Sequence, residues 1–164
     1  MRSILFVCTA NLCRSPMAEG VFRRLLSKCG AEAEFEIDSA GTHDYQPGQP
    51  PHPLAVETAR RRGYDIVHQA ARRIGGHDFD HFDMILVMDG SNLATLKRIA
   101  PTRCKQKIER LLDYGDRYHG KDIPDPIGKQ GKDFELALDM IEDGCKALAE
   151  LLIRTQPVRV NDAP

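Results

Sequence analysis

No run of about 18 apolar residues occurs in the chain, so nothing in the sequence is built to span a bilayer. The apolar stretch near the start covers only Ile4 to Val7, too short for a secretory signal, and Asn11 and Arg14 follow at once. Net charge is nearly absent: 23 basic against 24 acidic side chains give −1. Bulk charge therefore offers no pull toward nucleic acid or anionic lipid, and neither is expected as a partner. A disulfide framework is missing too. The five cysteines (Cys8, Cys13, Cys29, Cys104, Cys145) form an odd, unevenly spaced set, unlike a stapled secreted domain. Internal repeats and a second domain are absent. These absences predict a cytoplasmic protein in a reducing environment.

What remains is a chain of 164 residues, 41% hydrophobic and 29% charged, suited to one packed domain. Residues 1–154 are read as that domain and 155–164 as a tail. Ile4 to Val7 reads as a strand buried on both faces. From Ser15 a helical period takes over through Met17, Val21 and Leu25, with Gly30 as the stop. Phe35 to Ser39 alternates like a second strand, and Gly41 to Pro53 is a proline-rich loop. Leu54 to Arg62 predicts a helix, Met84 to Met88 a strand, Leu93 to Ile99 a helix and Ile108 to Leu112 a strand. Asp113 to Lys132 is polar and long enough to suspect function, and Phe134 to Ile153 is an amphipathic helix. The alternation predicts an α/β fold: a parallel sheet of about four strands flanked by helices. Ligands of such sheets sit beyond the carboxyl ends of strands. Cys8–Arg14, Ser39–Thr42 and Asp89–Asn92 are the candidates by that rule.

The first of these carries the most chemistry. Cys8-Thr-Ala-Asn-Leu-Cys-Arg14-Ser15 runs from a buried strand into a helix start. A turn of this length can wrap its backbone N–H groups around an anion, with the helix adding its positive end. Arg14 offers a planar fork for two phosphate oxygens. These dipoles favour an ionised sulfur at Cys8, and the thiolate is the nucleophilic form of cysteine. The Ser15 hydroxyl is placed to cap the helix or to bond the sulfur. A spacing of five residues between cysteine and arginine is weak by itself; its position between strand and helix gives it weight.

The segment Ile4-Leu-Phe-Val-Cys-Thr-Ala-Asn-Leu-Cys-Arg-Ser-Pro-Met-Ala-Glu19 resembles the signature of the low-molecular-weight protein tyrosine phosphatases. The likeness continues in Asp38-Ser-Ala-Gly-Thr42, Met88-Asp-Gly-Ser-Asn-Leu93 and Ile123-Pro-Asp-Pro126, in the family's order. The resemblance implies a phosphate-binding loop after strand 1, made of Thr9, Ala10, Asn11, Leu12, Cys13 and Ser15. It implies a cysteinyl-phosphate intermediate on Cys8, phosphate binding by Arg14, and Asp125 as general acid and then base. Asp122 is the fallback acid. Phosphotyrosine proteins are the implied substrates, inorganic phosphate and other oxyanions the implied ligands, with no cofactor and no metal. Tyr45 falls where the family has an aromatic cleft wall. Asn11 and Ser39 resemble positions that brace the loop. Asp89, a helix cap in its own right, is grouped with Ser39 as loop support. Cys13 resembles a cysteine that pairs with the nucleophile under oxidation, the chemistry of a reversible sensor.

The pattern is broken in three places. Family loops usually have glycine at Ala10, which costs on the order of 1 kcal/mol if positive φ is needed there. A supporting histidine is replaced by Gln69, beside His68, which puts the bracing network in doubt. Ile127-Gly-Lys129 stands where tyrosines are common, leaving an aliphatic cleft wall. An arsenate reductase of similar architecture would need two further cysteines close together in mid-chain, where Cys104 stands alone. A non-catalytic phosphotyrosine-binding module could dispense with Cys8 or Asp125, and both are present. His77-Asp-Phe-Asp-His81 has metal-like spacing but no further ligand cluster. Arg60-Arg-Arg62 and Arg72-Arg73 read as solvated faces or a basic patch.

Overall fold

In the computed structural model, residues 1–155 are described, so the predicted tail lies outside the described residues from 156 onward. Strands β1 (Arg2–Cys8), β2 (Phe35–Gly41), β3 (Met84–Val87) and β4 (Ile108–Arg110) form one sheet in the order β2-β1-β3-β4. Every neighbouring pair is parallel, with Cys8 opposite Gly41 at the carboxyl edge. The helices are α1 (Arg14–Lys28), α2 (Pro53–Arg61), α3 (Gly76–His81), α4 (Gly90–Ile99) and α5 (Gly131–Arg154). The predicted parallel α/β layer is the observed one.

The alternation of β1 explains the layering. Ile4, Phe6 and Cys8 enter one core with Met17, Val21 and Phe22 of α1, Ala55 of α2, and Phe134 and Ile141 of α5. Leu5 and Val7 point the other way, into a second core with Phe79 of α3 and Leu96 of α4. A strand covered on both faces has no polar alternation, which is why Ile4 to Val7 reads as a continuous apolar run.

Differences from the sequence reading lie at element ends and in short elements. α4 starts at Gly90 rather than Leu93, because Asp89 accepts a hydrogen bond from Asn92 N at 2.7 Å and caps the helix early. β4 stops at Arg110, and Leu111–Asp113 turn into a 3₁₀ element. α3 went unread. It is six residues long with one buried apolar side chain, Phe79, too short to show a period.

Candidate active site

The loop after β1 is held by its carbonyls. Cys8 O accepts from Thr42 N at 2.8 Å, Thr9 O from His43 N at 2.9 Å, and Leu12 O from His52 N at 2.8 Å. The backbone N–H groups of Ala10, Asn11, Leu12 and Cys13 donate to no other described residue. A loop whose carbonyls are bonded and whose amides are unspent is an anion cradle. Gly41 makes this approach possible: a Cβ there would lie 2.8 Å from both Thr9 O and His43 O.

Asn11 is the only described non-glycine residue with positive φ, at 56°. Asparagine tolerates that conformation, and its side chain uses both its donors and its acceptor oxygen. Nδ2 donates to Ser15 Oγ at 2.9 Å and Ser39 Oγ at 3.1 Å, while Oδ1 accepts from Arg72 N at 3.0 Å. The strain expected at Ala10 therefore falls one residue later, on a side chain that carries it well. Gln69 belongs to the same brace. It accepts from Ser39 Oγ at 3.2 Å and donates to Pro16 O at 3.0 Å, so the network doubted from sequence is intact, while His68 beside it is solvent-exposed.

Cys8 is 3% exposed, and its Sγ lies 3.1 Å from Ser15 Oγ. Ser15 does not cap α1, whose N-cap is Cys13 with no side-chain cap bond. Its hydroxyl also reaches Ala40 O at 3.2 Å. With a thiol, the S–H donates to Ser15 and the hydroxyl donates to the carbonyl. With a thiolate, the same O–H turns to the sulfur.

Arg14 is 1% exposed. Its Nη1 donates to Asp89 Oδ2 at 2.6 Å and Ile123 O at 2.8 Å. Its Nη2 reaches Thr9 Oγ1 and Asp125 Oδ2, each at 3.3 Å. Its Nε is buried with no partner among the described residues. Burial pulls the guanidinium pKa down, but Cys8, Asp89 and Asp125 outweigh it and hold it above the ordinary value. Asp125 Oδ1 accepts from Ile127 N at 3.2 Å, an Asx turn that fixes the carboxyl. Asp122, the fallback acid by sequence, accepts from Gly90 N at 2.9 Å and pairs with Arg110 at 3.5 Å. It tethers the loop that carries Asp125.

Cys13 is 2% exposed; burial pushes its thiol pKa well up, and the neighbouring Cys8 and Asp125 add to the effect. Tyr45 is exposed and stacks on His43 at 5.2 Å between ring centroids, 4° from parallel. Since His43 N is tied to Thr9 O, that stack sits at the loop's rim. Ile127 is exposed beside Asp125.

The sequence reading missed Arg72 and Asn92. Arg72 is no part of a basic patch: it pairs with Asp38 at 2.8 Å and Asp78 at 3.0 Å, joining β2 and α3 behind the cradle. Nothing in the sequence marks it. Asn92, which donates to Thr9 Oγ1 at 3.1 Å, lies within the strand-end segment Asp89–Asn92. Arg61 and Arg62 are likewise paired, with Glu57 at 2.5 Å and with Asp139 at 2.7 Å. His81 bonds Glu36 at 2.9 Å, and no group of three metal-ligating side chains occurs among the described residues.

Fold and site thus define an α/β protein with an oxyanion-binding loop at the carboxyl end of a central parallel strand. Residues 3–158 match the family model described as low molecular weight phosphotyrosine protein phosphatase. The chain is 40% identical to a low molecular weight protein-tyrosine-phosphatase of Bacillus subtilis (strain 168) over 148 residues, 90% of this chain and 94% of that one. It is 41% identical to a low molecular weight phosphotyrosine protein phosphatase of Gallus gallus, over 92% of this chain and 95% of that one. A crystal structure of a protein tyrosine phosphatase from Entamoeba histolytica, with Hepes in its active site, superposes with a TM-score of 0.90 at 32% identity. It covers 94% of this chain and 98% of that one. The chain belongs to the low molecular weight phosphotyrosine protein phosphatase family.

Proposed function

We propose that this chain hydrolyses phosphotyrosine through a cysteinyl-phosphate on Cys8, in one domain spanning residues 1–154. The observation that carries the reading is Arg14. Its guanidinium is buried and clamped through Nη1, and its Nε, with the unspent loop amides, is left for an oxyanion. The cradle amides and the Arg14 Nε–Nη2 edge hold the equatorial oxygens of the phosphoryl group. The Cys8 thiolate attacks phosphorus in line, the bond from phosphorus to the phenolic oxygen breaks, and Asp125 gives that oxygen its proton. As the oxyanion takes Nη2 on binding, before the attack, the Asp125 carboxylate is released from Arg14, takes up a proton from solvent and turns toward the leaving group. Asp125 then accepts a proton from the water that attacks phosphorus, and phosphate leaves with the thiolate restored. Tyr45 and Ile127 form the walls for the substrate ring.

We place the protein in the cytoplasm and read Cys13 as the resolving thiol. A peroxide oxidises Cys8 to the sulfenic acid and leaves as water or alcohol. Cys13 Sγ then displaces hydroxide from Cys8, and a second water is formed with the thiol proton.

The test is hydrolysis of p-nitrophenyl phosphate and a panel of phosphotyrosine, phosphoserine and phosphothreonine peptides. Cys8→Ser is expected to abolish turnover while phosphate still binds, and Asp125→Asn to slow turnover by roughly 10²–10⁴-fold. EDTA is expected to leave the rate unchanged. Full activity in the Cys8 variant overturns the mechanism. Preference for phosphoserine overturns the substrate class, and peroxide inactivation equally reversible in Cys13→Ser overturns the redox role.

A further inference from the structure

The two halves of the Arg14 guanidinium are held differently. Nη1 is fixed by a carboxylate at 2.6 Å and a carbonyl at 2.8 Å. Nη2 is shared between two acceptors at 3.3 Å, the neutral Thr9 Oγ1 and the carboxylate of Asp125. The nitrogen needed by an oxyanion is thus balanced between the cradle and the acid. A charged acceptor attracts a guanidinium more strongly than a hydroxyl does, so Thr9 competes only if its oxygen is held in place.

Asn92 holds it. Its Nδ2 donates to Thr9 Oγ1 at 3.1 Å from the first turn of α4. Asn92 is 2% exposed, and its Oδ1 has no partner among the described residues. An unpaired buried amide oxygen weakens folding, so stability gives no reason for this residue. Nor is it the helix cap, which Asp89 supplies. Asp89 and Asn92 therefore act on Arg14 from one helix turn, the first directly and the second through the Thr9 hydroxyl.

We propose that Asn92 and Thr9 are a positioning relay for Arg14: Asn92 Nδ2 orients the Thr9 hydroxyl, which holds Nη2 toward the cradle and away from Asp125. The relay rests on the reading of the loop as a phosphate site. Without the Thr9 oxygen, Nη2 closes further on Asp125, and incoming oxyanion must break a tighter ion pair than the one at 3.3 Å.

The experiment measures inorganic phosphate binding by calorimetry in a Cys8→Ser background, so the answer does not depend on turnover. Thr9→Val, which keeps the shape and removes the acceptor, is expected to weaken phosphate binding about tenfold, the scale of one hydrogen bond to a charged group. Thr9→Ser is expected to restore most of the affinity. Asn92→Ala should match Thr9→Val, and the double variant should be no weaker than either, since both remove one linkage. In the Cys8 enzyme the same loss should appear in kcat/KM for p-nitrophenyl phosphate. Phosphate affinity in Thr9→Val within about twofold of its parent, or losses that multiply in the double variant, overturns the relay. Should Asn92→Ala fail to fold, the valine and serine variants at Thr9 decide alone. If the Cys8 protein binds phosphate yet hydrolyses no aryl phosphate, the phosphatase reading falls while the binding series still judges the relay.

Discussion

Asp89 divides its two oxygens between a helix and an arginine: Oδ1 accepts from Asn92 N at 2.7 Å, and Oδ2 accepts from Arg14 Nη1 at 2.6 Å. Capping α4 and aiming the guanidinium are thus one constraint. Asp89→Asn should keep the cap, since asparagine caps as well as aspartate, but turn an amide toward Arg14 or leave it unpaired. Losing the shorter of its two carboxylate partners is expected to cost the buried guanidinium about 3 kcal/mol, read as a lower urea midpoint, with weaker phosphate binding. Unchanged stability and affinity would show that Ile123 O, Thr9 and Asp125 suffice to hold Arg14.

Asn11 combines backbone and side-chain roles that two substitutions separate. Asn11→Gly keeps the positive φ and loses the bonds to Ser15, Ser39 and Arg72 N. Asn11→Ala loses those bonds and also strains the backbone, an extra cost of about 1 kcal/mol. Alanine should therefore be the less stable of the two in thermal melts, and both should lose kcat/KM. Equal stability of the pair would remove the conformational argument.

Gly41→Ala tests the approach of β2 to the loop. The added methyl meets two carbonyl oxygens at 2.8 Å, both backbone, so the loop must move. An overpacking cost of about 1–3 kcal/mol is expected, with a fall in kcat/KM larger than a thermal shift of that size would bring by unfolding alone. Wild-type kinetics in this variant would mean the loop tolerates displacement.

Asp78 gives a pH dependence with a definite sign. Burial would push its carboxyl pKa up, but hydrogen bonds from Arg72 and from Gly75 N outweigh it and hold it below the ordinary carboxylate value. A depressed folded-state pKa contributes stability that is full above the unfolded value, near pH 4 or about that, and is lost as pH falls through the folded one. Asp78→Asn should be less stable than wild type at neutral pH, and the gap should narrow on acidification below about pH 4 in urea titrations. A gap independent of pH would assign the effect to packing instead.

The strands, the main helices and the anion-cradle form of Cys8–Ser15 were legible because each rests on neighbours in sequence. A buried strand needs an apolar run, a helix needs its period, and a strand-to-helix turn needs residues that fit it. What sequence could not decide depends on partners brought from afar. Asn11 Oδ1 meets Arg72 N across 61 positions, and Arg14 meets Ile123 O across 109. Arg72 reads as one of two adjacent cations until β2 and α3 bring Asp38 and Asp78 to it. Which residue takes the positive φ, whether Gln69 replaces the usual support and where Asp122 points were also settled only by packing. A side chain with several possible partners chooses among them by the distances the fold creates, and those distances are written in no local pattern.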